Sequence, residues 1–568
     1  PGGRRKVRTG ADPPMPPDEA LRMLKEGNRR FVKGTPEATR TNEGMRNALV
    51  DMGQAPHTAI IGCADSRAPL ETIFDAMPGD IFALRNAGNT CTHAEGSMVG
   101  SLEFSTGKLG CQLILVLGHT KCGAVYGATN AYLEAKKSTV TSVNSALEGL
   151  LLDLAPVAEQ ALAEMGPNSD PETVAAHAVR VNVFHTIDFL LKYSAPIREK
   201  VKNGHLEIQG GIYHLHSGNV EFIGQSPQQS QLLSSTVDLP PSMTREGGRM
   251  SGYGPAARGT HGVRTAADSA VAAEDALKML KDGNDRFAVG APLAKHATAK
   301  MREALVSHGQ APHAAVFGCA DSRVPVDTIF DAMPGDLFVL RNAGNTCTHA
   351  EGSMVGSLEF CCGKLGSKLI LVLGHTQCGA IAGATKTYLT SKGGNSTKNA
   401  GCALEGLLIG LSRVAEQAEE ELGVGARLDH LVAHSVKVNV FHSIDFLLKF
   451  SEPLRKLVKS GSLEIQGGIY HMETGRVEFL GSSPKQEELL ASDSSLPPSL
   501  QALPIRTTVH GAMPHQDALK LLKEGNERFA VGAAISGRLT PSMRKALVKE
   551  GQAPHTAIIG CADSRAPL

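Results

Sequence analysis

The chain contains the same long sequence twice. Residues 74–104 and 330–360 differ at only two positions, Ile81/Leu337 and Ala83/Val339, and both changes exchange one apolar side chain for another. The repeat of about 250 residues is far longer than the 20–50 residues of a solenoid unit. Each copy is also long enough to bury a core of its own. The chain therefore has to fold as tandem whole domains.

The domain boundaries follow from where this similarity begins and ends. We expect repeat 1 at 17–224 and repeat 2 at 274–481, with Ser-, Pro- and Gly-rich linkers at 225–273 and 482–512. A third copy begins at 513 and stops at 568, inside the repeated sequence. Because the chain also lacks an initial Met, we interpret it as a fragment of a longer array. The truncated third copy is not expected to hold a catalytic metal ion.

Composition excludes several classes of partner. Lys plus Arg and Asp plus Glu both number 57, so no net charge attracts nucleic acid or an anionic membrane. Apolar runs such as 113–117 have the length of a strand, far below the ~20 residues of a membrane span. We therefore expect a soluble protein with neither partner. The eleven cysteines favour a reducing compartment, cytoplasm or plastid, without deciding between the two.

The pattern of each copy predicts an α/β fold. Short apolar runs at 58–62, 80–84 and 112–117 alternate with helical patterns at 18–26 and 96–108. Continuous apolar strands separated by helices are typical of a mostly parallel β-sheet covered by helices. In such a sheet, ligands bind beyond the carboxyl ends of the strands.

Cysteine and histidine side chains follow the ends of two predicted strands. A single buried Cys is usually just a small apolar residue, and one H-x-x-C is weak evidence. Two thiolates and one imidazole, however, are ligands that zinc prefers, and three protein ligands leave a fourth position for water, as in catalytic sites. The same trio occurs in both copies, so we predict two zinc sites, formed by Cys63, His119 and Cys122 and by Cys319, His375 and Cys378.

A charged pair follows the first ligand of each trio. Asp65 and Arg67 recur as Asp321 and Arg323. The carboxylate could be a fourth zinc ligand, or it could accept the proton of a zinc-bound hydroxide while the guanidinium keeps it ionised. A salt bridge that only fixes the loop is the third reading.

The stretches 63–67 and 119–123, which contain these residues, resemble the zinc signatures of the β-class carbonic anhydrases. The similarity covers nearly all of each copy, including 25–31, 63–67, 85–89, 119–123 and 207–213. It implies the β-carbonic anhydrase fold and one Zn²⁺ per complete repeat. The implied activity is the reversible hydration of carbon dioxide to bicarbonate and a proton, by attack of zinc-bound hydroxide.

The resemblance also assigns roles that the residue types alone do not. Gln54, which from sequence alone would be a surface loop residue, matches a glutamine that binds substrate from across a dimer interface. Phe82 matches an apolar residue that lines the CO₂ pocket. The second copy repeats them as Gln310 and Phe338. Since the family acts as dimers, we expect repeats 1 and 2 to pair as an intramolecular pseudo-dimer, with a higher homo-oligomer left open.

Two departures from the family are visible. Phe104 and Phe360 stand where many relatives have a tyrosine, and Ile60 and Val316 stand where one subgroup has a regulatory tryptophan. That regulation is therefore not expected here. A proton shuttle could be His93 or His349, or buffer.

Two other functions remain open at this stage. A related zinc lyase or hydrolase could act on carbonyl sulfide or carbon disulfide, and the repeats could form a zinc-stabilised scaffold. The intact Asp65–Arg67 pair argues against the scaffold, since a purely structural zinc has no use for it.

Overall fold

The structure, a computed structural model, describes residues 7–37, 42–91, 96–135, 145–234, 263–266, 268–289, 298–347, 353–392 and 402–491. The predicted third copy, 513–568, and the candidate shuttle residues His93 and His349 lie outside the described residues. None of the helices within these ranges combines the length and the apolar character needed to cross a bilayer.

The first copy forms five strands and ten helices in the described ranges. The strands are β1 (Thr58–Cys63), β2 (Ile81–Asn86), β3 (Leu113–His119), β4 (Glu207–Tyr213) and β5 (Val220–Gly224). The helices are α1 (Pro17–Lys33), α2 (Glu43–Met52), α3 (Leu70–Ile73), α4 (Ser97–Gly107), α5 (Gly123–Ala135), α6 (Ala146–Asp153), α7 (Ala155–Met165), α8 (Pro171–Tyr193), α9 (Ala195–Lys202) and α10 (Gln229–Ser234).

The second copy repeats this order over its described residues. Its strands are β6 (Ala314–Cys319), β7 (Leu337–Asn342), β8 (Leu369–His375), β9 (Glu464–His471) and β10 (Arg476–Gly481). Its helices are α11 (Ala273–Ala288), α12 (Ala299–His308), α13 (Val326–Ile329), α14 (Ser353–Lys364), α15 (Gly379–Lys392), α16 (Ala403–Leu422), α17 (Leu428–Phe450), α18 (Glu452–Lys459) and α19 (Gln486–Ala491).

One helix differs between the copies for a visible reason. The single helix α16 corresponds to the pair α6 and α7, which meet at Leu154. Pro156 lies at the start of α7, where Arg413 stands in α16. A proline has no N–H to continue the helical ladder, so the helix of the first copy is divided there.

The described strands form one ten-stranded sheet in the order β10-β9-β8-β6-β7-β2-β1-β3-β4-β5. Within each copy the first four strands are parallel and the last is antiparallel. The copies join where β2 meets β7 antiparallel, with Arg85 opposite Arg341. The predicted α/β architecture, a mostly parallel sheet covered by helices, is confirmed.

The two faces of the sheet belong to different cores. Neighbouring residues of a strand point to opposite faces, so Ile60 packs under α1 while Ile61 packs under α4 and α8. The core that contains Ile61 is continuous through both copies and includes, for example, Val99 and Val355. The core that contains Ile60 belongs to the first copy alone, and the second copy has a separate counterpart.

Helices α4 and α14 carry the contact between copies on that shared face. A Cβ added to Gly100 would lie 2.8 Å from the carbonyl oxygen of Ala403, so only glycine allows this approach. The Glu103 carboxylate then accepts a hydrogen bond of 2.7 Å from the Leu404 N–H, at the first turn of α16. Glu359 makes the equivalent 2.8 Å bond with the Leu147 N–H of α6.

Some residues outside the predicted repeats are ordered against them. The predicted linkers contain α10 and α19. Arg264, also in the predicted first linker, donates from Nε to the carbonyl oxygen of Ala311 at 2.9 Å. Arg8, before the predicted start of repeat 1, binds Ala55 in the same way at 2.8 Å. Their sequences have no sustained periodicity, which is why the sequence did not indicate this packing.

A buried histidine differs between the two copies in its hydrogen bonding. His57 Nδ1 lies 2.8 Å from Thr58 Oγ1, but Ala314 replaces that threonine, and His313 Nδ1 is buried without a hydrogen-bond partner in the described chain. Burial and the charge of Arg264 lower the pKa of His313 to about 3, so its ring is neutral at pH 7.

We expect Ala314→Thr to raise the free energy of unfolding by about 1 kcal/mol, measured by urea unfolding.

Ala314→Val is the matched control, because it adds the same shape without a hydroxyl and should give no such gain. Thr58→Ala should cost a similar amount in the first copy. Equal effects of threonine and valine at position 314 would show that packing, not the hydrogen bond, governs this site.

Candidate metal centres

Three soft donors converge where the parallel strands end. Cys63 is the last residue of β1, His119 the last of β3, and Cys122 directly precedes α5. Because β1 and β3 are parallel neighbours, their carboxyl ends meet at one edge of the sheet. The donor atoms lie within 4.8 Å of one another, and all three residues are buried. Cys319, His375 and Cys378 form the same group in the second copy.

The dimensions of these groups fit zinc. The two cysteine sulfurs are 3.8 Å apart in the first copy and 3.9 Å in the second. Tetrahedral zinc with Zn–S bonds of about 2.3 Å requires a sulfur separation of about 3.8 Å. His119 Nδ1 lies 3.0 Å from the Thr120 carbonyl oxygen, which leaves Nε2 as the ligand atom. That Nε2 is buried without a hydrogen-bond partner in the described chain, as is Nε2 of His375.

The environment also distinguishes Cys63 from Cys91, which lies outside the group of three donors. Burial opposes ionisation of Cys63, but the hydrogen bond from Cys122 and the nearby His119 lower its pKa well below the usual value. The Gly88 N–H adds a contact of 3.3 Å to the same sulfur. Burial instead raises the pKa of Cys91 to about 12, so that residue stays a neutral thiol.

Asp65 and Arg67 form a buried pair beside the ligands. Arg67 Nε donates to Asp65 Oδ1 at 2.8 Å, and Nη2 donates to Oδ2 at 2.6 Å. Burial alone would raise the pKa of Asp65, but the charge of Arg67 and then that of His119 lower it to about 2. Asp65 Oδ2 lies 3.7 Å from His119 Nε2, next to the donors. Asp321 and Arg323 repeat this geometry.

Each of these loops also contacts a glutamine from the other copy. Gln310 Oε1 accepts from the backbone N–H of Ser66 at 2.9 Å and from its hydroxyl at 2.6 Å. Gln54 makes the same pair of bonds with Ser322, at 3.0 and 2.6 Å. Using the amide oxygen in this way fixes the direction of the amide NH₂.

The phenylalanines also connect one copy to the site of the other. The rings of Phe82 and Phe104 pack with centroids 6.2 Å apart. Phe104 Cζ lies so close to Gly379, the residue after Cys378, that a Cβ there would be 3.2 Å away. Phe338 packs on Phe360 in the same way, and Phe360 lies against Gly123, the residue after Cys122.

Sequence reasoning gave no role to Arg85, which is fully buried. Its Nε donates to the Cys63 carbonyl oxygen at 2.9 Å and its Nη2 to the Asp65 carbonyl oxygen at 2.8 Å. Its Nη1 lies 3.3 Å from Oδ2 of Asp327 in the other copy. The only available signal was the phrase R-N-A-G-N, kept unchanged in both copies.

Known proteins identify the repeated unit. The sequence profile of the carbonic anhydrase family matches residues 58–220 and 314–477, more than half of the chain. The chain belongs to the carbonic anhydrase family. It carries the family's domain twice, and the resemblance to the β-class enzymes is thereby confirmed as a tandem β-carbonic anhydrase.

Individual relatives cover one copy each. Carbonic anhydrase 2 of Mycobacterium tuberculosis is 34% identical over 207 residues, which make up 35% of this chain and 89% of that protein. The carbonic anhydrase of Mycolicibacterium smegmatis is 34% identical over 210 residues, 36% of this chain and 91% of that protein. Among solved structures, a β-carbonic anhydrase of Aspergillus fumigatus is 28% identical, with 38% of this chain and 94% of that chain covered and a TM-score of 0.29.

The metal content of this tandem carbonic anhydrase can be counted directly. We expect two zinc ions per chain, because each complete copy brings its own three donors together. His119→Ala combined with Cys122→Ala should leave one, and the matching pair His375→Ala and Cys378→Ala should also leave one. Elemental analysis of the dialysed protein measures this ratio. A wild-type ratio near three would show a further zinc site outside these two groups.

Proposed function

We propose that the chain catalyses the reversible hydration of carbon dioxide to bicarbonate and a proton at two zinc sites, one in each complete repeat. The observation that carries the proposal is the pairing of an open three-donor group with a buried Asp–Arg pair next to it. A zinc site that only stabilises a fold uses four protein ligands and has no need for such a pair.

Cys63, His119 and Cys122 would hold the zinc of repeat 1, and Cys319, His375 and Cys378 that of repeat 2. When bound, zinc lowers the pKa of a water molecule to around 7 and so supplies a nucleophile at neutral pH. The protein's own residues then have to orient that water, bind an apolar substrate and bind a charged product.

The Asp65–Arg67 pair is suited to orienting the water. Arg67 uses both carboxylate oxygens of Asp65, which supports the role of hydrogen-bond acceptor for the reacting water over that of fourth ligand. With a pKa of about 2, Asp65 stays ionised at any pH of an ordinary assay. Its Oδ2 faces the donor group and would accept a hydrogen bond from the reacting water. Asp321 and Arg323 would act in the same way in repeat 2.

The substrate side of each site would come from the other repeat. The amide NH₂ of Gln310 would donate to an oxygen of the substrate in site 1, and Gln54 would do so in site 2. Phe82 and Phe338, with the phenylalanines they pack on, would form the apolar wall for CO₂. Because Phe104 and Phe360 carry no hydroxyl, this wall is less polar than with a tyrosine.

These shared sites support a pseudo-dimer made of repeats 1 and 2 within one chain. The evidence is the joint between β2 and β7, the glutamine contacts and the continuous core on one face of the sheet. We propose 17–224 and 274–481 as the paired units. Assembly of whole chains into a higher homo-oligomer would extend this arrangement.

The hydratase and the scaffold predict different results in one assay. In stopped-flow CO₂ hydration, zinc-loaded wild type should be active, and Asp65→Asn with Asp321→Asn should lower kcat roughly 10²–10³-fold, the usual cost of losing one preorganised hydrogen-bonding group. Either change alone should leave about half of the activity. Asp282→Asn, at an exposed Asp, is the control.

A wild-type protein that held two zinc ions per chain but was inactive would contradict the hydratase function and support the scaffold. Turnover of carbonyl sulfide or carbon disulfide without CO₂ hydration would instead support the related lyase or hydrolase.

The shared sites predict an effect across the repeats. In a chain with His375→Ala and Cys378→Ala, only site 1 turns over, and Gln310→Ala should lower its kcat/KM about 10- to 100-fold, since hydrogen bonds to charged groups contribute about 1.5–3 kcal/mol. Gln54→Ala is the matched control, because that glutamine faces site 2 and should leave the remaining rate intact. If Gln54→Ala were the harmful change, each site would be served by its own repeat.

A further inference from the structure

The metal ligand Cys63 receives a hydrogen bond from a loop that follows β2. This loop, residues 86–90, brings the Gly88 N–H to 3.3 Å from Cys63 Sγ. In repeat 2 the loop of residues 342–346 brings the Gly344 N–H to 3.3 Å from Cys319 Sγ. An N–H that donates to a thiolate stabilises charge on the sulfur, so it changes how strongly that sulfur binds a metal.

Part of the support for the 86–90 loop comes from its own repeat. Gly88 has a φ of 77°, a conformation that favours glycine and turns the loop over the sulfur. Asn182 of α8 donates from Nδ2 to the Gly88 carbonyl oxygen at 2.7 Å. Asn439 of α17 holds the Gly344 carbonyl oxygen at 2.8 Å.

The rest of the support comes from the other repeat. The Ala87 N–H donates to Ser357 Oγ at 2.8 Å, and Asn86 Nδ2 donates to Ser353 Oγ at 2.9 Å. Both serines belong to α14 of repeat 2. In return, α4 of repeat 1 supports the 342–346 loop: Ser101 Oγ accepts from the Ala343 N–H at 2.8 Å, and Ser97 Oγ from Asn342 Nδ2 at 2.9 Å.

The hydroxyl of Ser357 is engaged both as a donor and as an acceptor. It accepts from Ala87 and donates to the carbonyl oxygen of Ser353, one turn earlier in α14. Ser357 and Ser101 are both fully buried, so water cannot replace either hydroxyl. Removing it would leave the Ala87 N–H buried and unpaired, which is costly enough for the loop to rearrange.

We propose that Ser357 and Ser101 are positioning residues that act on the metal site of the other repeat. The Ala87 and Gly88 N–H groups lie on adjacent peptide units joined at the Ala87 Cα. Ser357, by fixing the first unit, directs the second at Cys63. Ser101 does the same for Cys319 through Ala343 and Gly344. The inference rests on the proposed function in one respect, namely that these cysteines bind the metal.

Cobalt provides a test that does not depend on catalysis. Co²⁺ bound by thiolates has a sulfur-to-metal charge-transfer band in the near ultraviolet, and this band responds to hydrogen bonds at the sulfur. In the chain with His375→Ala and Cys378→Ala, Co²⁺ occupies site 1 alone. We expect Ser357→Ala to shift the band and to weaken zinc affinity about tenfold or more, as for other groups that support metal ligands.

Ser101→Ala is the matched control in this chain. It removes the same atom from the same kind of helix, but its contact lies at the 342–346 loop. The band and the zinc affinity of site 1 should therefore stay unchanged. With His119→Ala and Cys122→Ala, which leave only site 2, the two serine variants should exchange their effects.

Equal effects of both serines in both chains, or no effect of either, would overturn the proposal. If Ser357→Ala does not fold by circular dichroism, Ser353→Ala takes its place, since it removes only the bond from Asn86 and should act on site 1 in the same direction. A chain that bound Co²⁺ normally but did not hydrate CO₂ would contradict the proposed function alone, and the band would still test the serines.

Discussion

Arg85 and Arg341 lie opposite each other where β2 meets β7, and the arrangement of both repeats depends on how their charges are neutralised. A buried guanidinium is tolerated only if it is paired and hydrogen-bonded. Each of the two donates to two carbonyl oxygens of its own metal loop, that of the first Cys ligand and that of the Asp two residues later. Each then needs a carboxylate, and that carboxylate comes from the other repeat.

These ion pairs between the copies link the contact between β2 and β7 to the metal sites. The same guanidinium that closes the joint also fixes the backbone of the first zinc ligand and of the aspartate. The carboxylates are not equivalent, because Glu71 in repeat 1 corresponds to the shorter Asp327 in repeat 2. Burial raises the pKa of Asp327 to about 6 in spite of the charge of Arg85. Two copies in one chain can diverge in this way, whereas the partners of a homodimer remain identical.

The parts of the structure that follow a local pattern were predictable from the sequence. Continuous apolar runs predicted β1, β2 and β3 to within two residues at each end, and the position of Cys63 and His119 at strand ends followed from the parallel sheet. The Asp65–Arg67 contact was also within reach, because the two residues are close in sequence. Gln310 and Phe338 were assigned through resemblance, and not by any pattern of their own.

The contacts that cross between repeats left no such pattern. Ser101 and Ser357 lie in helices whose other residues are largely buried, and a serine there resembles any small helix residue. Their function depends on a partner more than 240 residues away. Arg85 likewise resembles a strand residue at a sheet edge until the second copy is seen beside it. Spacing along a chain carries information about neighbours in one element, and none about which elements meet.

The distribution of these contacts argues that one repeat alone is an incomplete catalyst. A separated repeat 1 would keep Cys63, His119 and Cys122, and its strand order would not change. It would lose the carboxylate of Asp327, the serines that hold the 86–90 loop and the amide of Gln310. It would also expose the half of the shared core that now packs against α14 and α16. Covalent linkage supplies the missing half at a high effective concentration, so every folded chain carries two completed sites whatever its abundance in the cell.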